Sequence, residues 1–264
     1  MSGRAAIDVV NASLPGAEEA LRAGYEQLGF CAVAPVIPHD LVERAASAMD
    51  RIVGGITPRP MGIVKIDQPH WTDETLREVV THPELARWAA ALVGASTLQV
   101  FAVQLLYKPT DAPGQEVRVG WHQDDTYWDQ WWTGEAFTAW VALSEVTADS
   151  GPVRFVAGSH RWGNIGESDF FGRDDETAKS RFRLPDGAEW TEVAAELPPG
   201  GVSFHTRYTM HGSSSNTGPL PRRGLAVHLR SERAEPVPGL GYDAYRNADA
   251  TSSPFVHGRP PQIG

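Results

Sequence analysis

Beyond Ser96 the chain is a series of short apolar segments separated by glycine- and proline-containing turns, with no helical pattern between them. The segments cover residues 98–107, 117–121, 136–146, 153–157, 202–205 and 224–231. Many short strands without intervening helices indicate a β-sandwich or barrel rather than a parallel sheet. Residues 136–146 are almost wholly apolar, which predicts a strand buried on both faces.

The first hundred residues have a different, mainly helical pattern. Helices are predicted over residues 15–28, 38–49 and 82–92, with a further helix N-cap at residues 72–75 and a short strand over residues 30–36. We therefore expect a single domain over residues 1–264. In it, residues 1–97 form a mainly helical support, residues 98–232 the β core and residues 233–264 a C-terminal extension.

A charged segment interrupts the β core at about residues 162–191 and contains Phe170 and Phe171. Long insertions in a compact domain commonly carry function. We interpret this one as a lid over the mouth of the barrel; the alternative is a solvated surface excursion.

Composition narrows the classes of partner and the compartment. The net charge of −10 argues against binding to nucleic acid, although acidity also simply aids solubility. No signal peptide and no apolar run of about eighteen residues is visible, so no membrane association is expected. The single cysteine, Cys31, lies in an apolar run and is expected to be a buried packing residue. We expect a cytoplasmic protein, and the sequence does not specify an oligomeric state.

Three side chains are candidate metal ligands. His122 and Asp124 are two residues apart directly after a predicted strand, and side chains two apart on a strand share a face. A lone His-x-Asp pair carries little weight, but His211 supplies a second, distant imidazole. Two histidines and one carboxylate on one side of a metal form the arrangement of non-haem Fe(II) oxygenases.

An arginine after His211 is a candidate to bind an anionic co-substrate. Arg222 lies eleven residues after His211 and begins another strand, which could return its guanidinium toward the metal. A guanidinium there could hold the far carboxylate of a keto-acid co-substrate. Arg223 is the competitor, because adjacent strand residues face opposite ways.

Several blocks together resemble the phytanoyl-CoA dioxygenase family. The first is Trp-His-Gln-Asp-Asp-Thr-Tyr-Trp at residues 121–128. The others are Ala-Trp-Val-Ala-Leu at 139–143, Ser-Gly-Pro at 150–152, Ala-Gly-Ser-His at 157–160, His-Gly-Ser-Ser-Ser-Asn at 211–216 and Arg-Arg at 222–223. Gln104 and the Lys-Pro pair at 108–109 fit the first core strand of that family. The resemblance extends in order from about residue 104 to residue 228, while the helical part before it is only weakly similar.

This resemblance implies a double-stranded β-helix, a jelly-roll (cupin-like) barrel, that holds Fe(II) and 2-oxoglutarate and uses O2. The implied iron ligands are His122, Asp124 and His211, and Arg222 would pair with the distal carboxylate of 2-oxoglutarate. Four further residues are expected near the co-substrate or iron: Gln104, Thr138, Ser213 and Trp128. The other histidines of the core, His160, His205 and His228, are expected to be structural.

The implied reaction is oxidation of a substrate C–H bond. Because Asp124 fills the position that halogenating relatives leave free for halide, halogenation is not expected. Hydroxylation, cyclisation, epimerisation and desaturation remain open.

The aromatic residues after the ligand pair predict a pocket for a bulky, fairly apolar small molecule, for which a specialised metabolite is the leading interpretation. Two alternatives stay open: a cupin-type metal enzyme without 2-oxoglutarate, and an inactive metal-binding jelly-roll module.

Overall fold

The computed structural model describes residues 5–56, 62–111, 117–165, 179–180, 182–237 and 251–259. Of the five α-helices in these described residues, four lie within residues 17–93. The helices are α1 (Ala17–Leu28), α2 (His39–Gly54), α3 (Glu74–Val80), α4 (Pro83–Val93) and α5 (Asp125–Trp128), with 3-10 turns at Pro69–Trp71 and Ser159–Arg161.

Strands dominate the remainder. In chain order they are β1 (Ala5–Ala6), β2 (Val9–Asn11), β3 (Phe30–Ala34), β4 (Val64–Asp67), β5 (Leu98–Lys108), β6 (Val119–His122), β7 (Trp132–Thr133), β8 (Ala136–Ala142), β9 (Val153–Val156), β10 (Glu192–Ala194), β11 (Val202–Thr206), β12 (His211–Ser213), β13 (Arg222–Ser231), β14 (Glu235–Pro236) and β15 (Phe255–His257).

Two sheets form the barrel. The larger sheet has the order β15-β5-β13-β8-β11-β3-β2, with β4 also paired to β5, and the smaller has the order β1-β10-β9-β12-β6. Phe30 and Trp140 of the larger sheet share one buried cluster with Val153 and Phe155 of the smaller sheet. The predicted sandwich or barrel is therefore correct, and this cluster lies between its two sheets.

Helices cover the outer face of the larger sheet. Alternate strand residues such as Val33, Val103, Val141 and Val227 pack in one apolar cluster with helical residues that include Leu41. Because side chains alternate with period two, a strand with apolar residues on both faces can contact the helices on one side and the barrel interior on the other. This explains the continuous apolar pattern of β8, which is buried along its whole length as predicted.

The boundaries differ from the sequence prediction at several points. Strand β8 ends at Ala142 rather than residue 146, and the N-terminal region contributes four strands in addition to its helices. Within the described residues, no helix is long and apolar enough to span a bilayer.

The predicted lid falls partly outside the described residues, and so do Phe170 and Phe171. In the described part of this segment, Phe182 and Trp190 pack with Trp121, Val156 and Met210. This packing does not test whether the segment covers the mouth of the barrel, so the lid interpretation stays a prediction.

Candidate metal centre

The three predicted metal ligands lie together in the folded chain. One ligand atom from each of His122, Asp124 and His211 lies within 4.8 Å of the others. The two histidines are register partners on the neighbouring strands β6 and β12, and their ring centroids are 4.1 Å apart. Among the described residues, no other group of three or more His, Cys, Asp or Glu side chains meets in this way.

Asp124 reaches the centre by a different route from the one predicted. Strand β6 ends at His122, and Asp124 has helical backbone angles (φ −59°, ψ −32°) as the cap residue before α5. The side-chain amide of Gln123 donates to the carbonyls of Gly163 and Tyr208, which fixes this turn out of the sheet. The prediction of a period-two strand through the His-x-Asp pair is therefore wrong; a tight turn brings the carboxylate beside the imidazole.

Backbone carbonyls set the tautomer of both histidines. His122 Nδ1 lies 2.8 Å from the Gly120 carbonyl, and His211 Nδ1 lies 3.0 Å from the Thr209 carbonyl. Since a carbonyl can only accept, each Nδ1 carries the proton and donates it. In the neutral rings, Nε2 then has a free lone pair, the form that a metal requires.

The Asp124 carboxylate is oriented by two donors on one oxygen. Its Oδ2 accepts from the Thr138 hydroxyl at 2.8 Å and from His205 Nε2 at 3.2 Å. Its Oδ1 lies 3.8 Å from His211 Nε2. The donor set is consequently two Nε2 atoms and one carboxylate oxygen, Oδ1.

Burial and mutual charge keep the three groups in the form that binds metal. Burial lowers the pKa of His122 and that of His211, and Asp124 only partly opposes this. For Asp124, burial acts to raise the pKa, but the electrostatic interaction with the neighbouring His211 ring and the hydrogen bond from His205 outweigh it and hold the pKa well below its usual value. Two neutral imidazoles therefore lie beside an ionised carboxylate at neutral pH.

The two adjacent arginines lie in different environments. Arg222 is buried, lines the cavity, and donates from Nη1 to the Gly151 carbonyl at 2.5 Å. Arg223 forms a two-pronged ion pair with Asp50 at 2.8 and 2.9 Å. Burial lowers the Arg222 pKa to about 10, so the side chain stays charged at neutral pH. Only Arg222 faces the cavity with the metal ligands.

A cavity of about 460 Å³ opens in front of these groups and is largely apolar. All eight site residues named from the sequence line it: Gln104, His122, Asp124, Trp128, Thr138, His211, Ser213 and Arg222. Sequence reasoning did not assign Lys65, Trp140 or His228 to this wall. The position of Trp140 in the wall could have been predicted, because it lies two residues from Thr138 on one strand and so shares its face.

The hydroxyls of Thr138 and Ser213 in the cavity wall have different partners. Thr138 bonds the Asp124 carboxylate, and its hydroxyl also lies 2.9 Å from His228 Nδ1. Ser213 lies with Arg222 in the cavity wall and accepts a hydrogen bond from Lys108. Thr138 thus supports a candidate metal ligand, whereas Ser213 lies beside the basic side chains of the cavity wall.

The chain is similar to two ectoine dioxygenases. Ectoine dioxygenase from Bordetella parapertussis is 27% identical over 216 residues, covering 77% of this chain and 69% of the relative. Ectoine dioxygenase from Sphingopyxis alaskensis is 29% identical over 209 residues, covering 74% of this chain and 66% of the relative.

A solved structure of the epimerase SnoN, in complex with Fe3+, alpha-ketoglutarate and nogalamycin RO, superposes with a TM-score of 0.72. It is 23% identical and covers 92% of this chain and 100% of SnoN. The carbocyclase SnoK from nogalamycin biosynthesis, also 23% identical, gives a TM-score of 0.67 and covers 88% of this chain and 89% of SnoK. These likenesses confirm the predicted double-stranded β-helix.

The model of one protein family, phytanoyl-CoA dioxygenase (PhyH), matches residues 25–224, which includes the three candidate ligands and Arg222. The match covers most of the chain and confirms the resemblance deduced from the sequence blocks. The chain therefore belongs to the phytanoyl-CoA dioxygenase family.

Proposed function

We propose that the protein is a non-haem Fe(II)- and 2-oxoglutarate-dependent dioxygenase that oxidises a C–H bond of a small molecule. One observation carries the proposal: a facial set of two neutral imidazoles and one carboxylate shares a cavity with a buried guanidinium. Bound together, iron and 2-oxoglutarate supply the activation of O2 for C–H oxidation.

The donor set suits ferrous iron, with His122, Asp124 and His211 as its ligands. Nitrogen from imidazole and oxygen from a carboxylate are the ligands of the two-histidine, one-carboxylate iron enzymes. The hydrogen bonds from Thr138 and His205 hold the carboxylate, and the backbone carbonyls hold both imidazoles. These contacts position the donors without help from the metal.

Arg222 would hold the distal carboxylate of 2-oxoglutarate, with the Ser213 hydroxyl as a second donor. Among the described residues, no Asp or Glu lies within ion-pair distance of Arg222, although it is almost fully buried. A buried cation without a counter-ion is costly, and an anionic ligand would offset that cost. The guanidinium carbon lies over the Trp140 ring, 5.1 Å from the ring centroid, in a cation–π contact.

The cavity wall favours a ring-bearing, fairly apolar substrate. Tyr127, Trp128 and Trp131 line it near the metal ligands, and Ile63 and Leu106 add aliphatic surface. A specialised metabolite of the antibiotic type fits this wall, and nogalamycin biosynthesis is where SnoN and SnoK act. Such a substrate would be hydroxylated, cyclised, epimerised or desaturated in a cytoplasmic reaction.

Anaerobic titration of the purified protein with Fe(II), with and without 2-oxoglutarate, tests the proposal. Chelation of iron by a keto acid produces a weak visible charge-transfer band, which we expect only when both are present. The Asp124→Ala variant should show neither the band nor succinate formation in air. Metal binding without a band would favour a cupin-type enzyme that needs no keto acid, and the absence of both turnover and keto-acid binding would favour an inactive binding module.

A further inference from the structure

Lys108 lies behind the cationic part of the cavity, at the end of strand β5. Its side chain is fully buried, and its Nζ donates to Ser213 Oγ at 2.7 Å and to the Ser214 carbonyl at 2.5 Å. Its register partner on strand β13 is Arg222. Ser213 and Arg222 line the cavity, whereas Lys108 does not.

Lys108 and Arg222 bring two basic side chains into one buried wall. Among the described residues, no Asp or Glu lies within ion-pair distance of either; Asp111 acts on Lys108 only from farther away. Gly151 lies between the two side chains. Its carbonyl accepts a hydrogen bond from Arg222, and its Cα faces Lys108 so closely that a Cβ there would lie 2.9 Å from Lys108 Cδ. The charge of Arg222 in this wall favours an anionic ligand in front of it.

The direction of the hydrogen bond between Lys108 and Ser213 determines whether the Ser213 hydroxyl can donate its proton to a ligand. Burial and the charge of Arg222 lower the Lys108 pKa, whereas a carboxylate bound in front of both would raise it and favour the ammonium form. An ammonium group has only donors. Ser213 Oγ must then accept from Lys108, and its own proton is left for a partner in the cavity.

We propose that Lys108 is a positioning residue of the co-substrate site: it holds the Ser213 hydroxyl as a hydrogen-bond donor toward the distal carboxylate of 2-oxoglutarate. The inference rests on the proposed function, because it takes 2-oxoglutarate as the ligand. Lys108 itself does not contact the co-substrate, so its effect passes through Ser213.

Calorimetric titration of 2-oxoglutarate into Mn(II)-loaded protein without oxygen measures this directly. Lys108→Met removes the donor but keeps the length of the side chain, and should weaken 2-oxoglutarate binding at least tenfold while Mn(II) affinity stays within threefold. Lys108→Gln, which keeps an N–H donor, should lose less affinity than Lys108→Met. Circular dichroism checks the folding of both variants, and the glutamine variant provides the measurement if the methionine variant does not fold. Binding of 2-oxoglutarate within twofold of wild type in each variant that folds would overturn the proposal.

A double-mutant cycle separates positioning from packing. If Lys108 acts through Ser213, adding Lys108→Met to Ser213→Ala should weaken binding less than threefold further. Losses that multiply in the double variant would show that the two residues act independently and would overturn the inference. If Mn(II)-loaded wild type binds no 2-oxoglutarate at all, the proposed function fails instead, so the two failures are distinguishable.

Discussion

His205 Nε2 lies 3.2 Å from Oδ2 of Asp124, and this contact determines which oxygen of the carboxylate is available to a metal. Together with the Thr138 hydroxyl at 2.8 Å, it occupies Oδ2 and leaves Oδ1 toward His211. His205 is therefore a support for the centre rather than a fourth ligand, although its ring centroid is only 4.4 Å from that of His211.

Replacing His205 by Leu should weaken metal binding about tenfold, because Asp124 loses a donor that fixes its orientation. The dissociation constant for Mn(II), measured by calorimetry without co-substrate, is the readout. His205→Gln keeps an N–H donor and is the matched control, for which we expect a smaller loss. Equal affinity in the leucine variant and wild type would remove His205 from the supporting network.

The structure brings together the candidate ligands named from the sequence, but with a local geometry that differs from the predicted one. The three candidate ligands and Arg222 were named from residue type, spacing and family resemblance. The strand through Asp124 does not form, because contacts of Gln123 with Gly163 and Tyr208, remote in sequence, turn the chain out of the sheet. Such contacts exist only in the folded chain, so no local periodicity could reveal them.

The roles of the supporting residues could not be predicted from the sequence either. His205 and Lys108 were recognisable from sequence only as a histidine in an apolar strand and as part of a Lys-Pro pair. Their roles come from strand pairing: β11 places His205 beside β8, and β13 places Arg222 opposite Lys108. Strand order in a barrel is a long-range property, whereas the apolar patterns that predicted the strands themselves are local.

Arg222→Gln should raise the 2-oxoglutarate concentration needed for half-maximal succinate formation by roughly thirtyfold, because loss of a charged hydrogen-bond pair costs about 2 kcal/mol. Succinate formation across a 2-oxoglutarate series provides the measurement. Arg223→Gln is the control on the adjacent residue, whose guanidinium pairs with Asp50 instead. We expect the control to stay within about twofold of wild type, and a reversed pattern would assign the carboxylate to Arg223.

Acid should destabilise the metal-free protein partly through His70. Its Nε2 donates to the Ser252 carbonyl, its Nδ1 is buried without a hydrogen-bond partner, and burial lowers its pKa to about 4. The His70 imidazole becomes protonated near pH 6.5 in the unfolded chain but only near pH 4 in the folded chain. The free energy of unfolding therefore falls as the pH drops below about 6.5.

At pH 5 this contribution amounts to about 1–2 kcal/mol relative to pH 7.5. Urea denaturation at both pH values should show a smaller fall for His70→Gln than for wild type, since glutamine keeps a donor but has no proton to gain. An identical fall in both proteins would show that other groups, such as the buried His228, account for the acid sensitivity.

Gly224 leaves room for the Trp140 ring, and alanine there should be strongly unfavourable. A Cβ on Gly224 would overlap Trp140 Cζ2, and the strand that carries it, β13, is paired with β5 on one side and β8 on the other. We expect Gly224→Ala to cost about 2–3 kcal/mol in urea denaturation. It should also weaken 2-oxoglutarate binding, because Trp140 supports the guanidinium of Arg222. Gly54→Ala, where a Cβ meets nothing within 4 Å, is the control and should leave both quantities unchanged or slightly raise stability. A Gly224→Ala variant as stable as this control would mean that Trp140 can move aside at little cost.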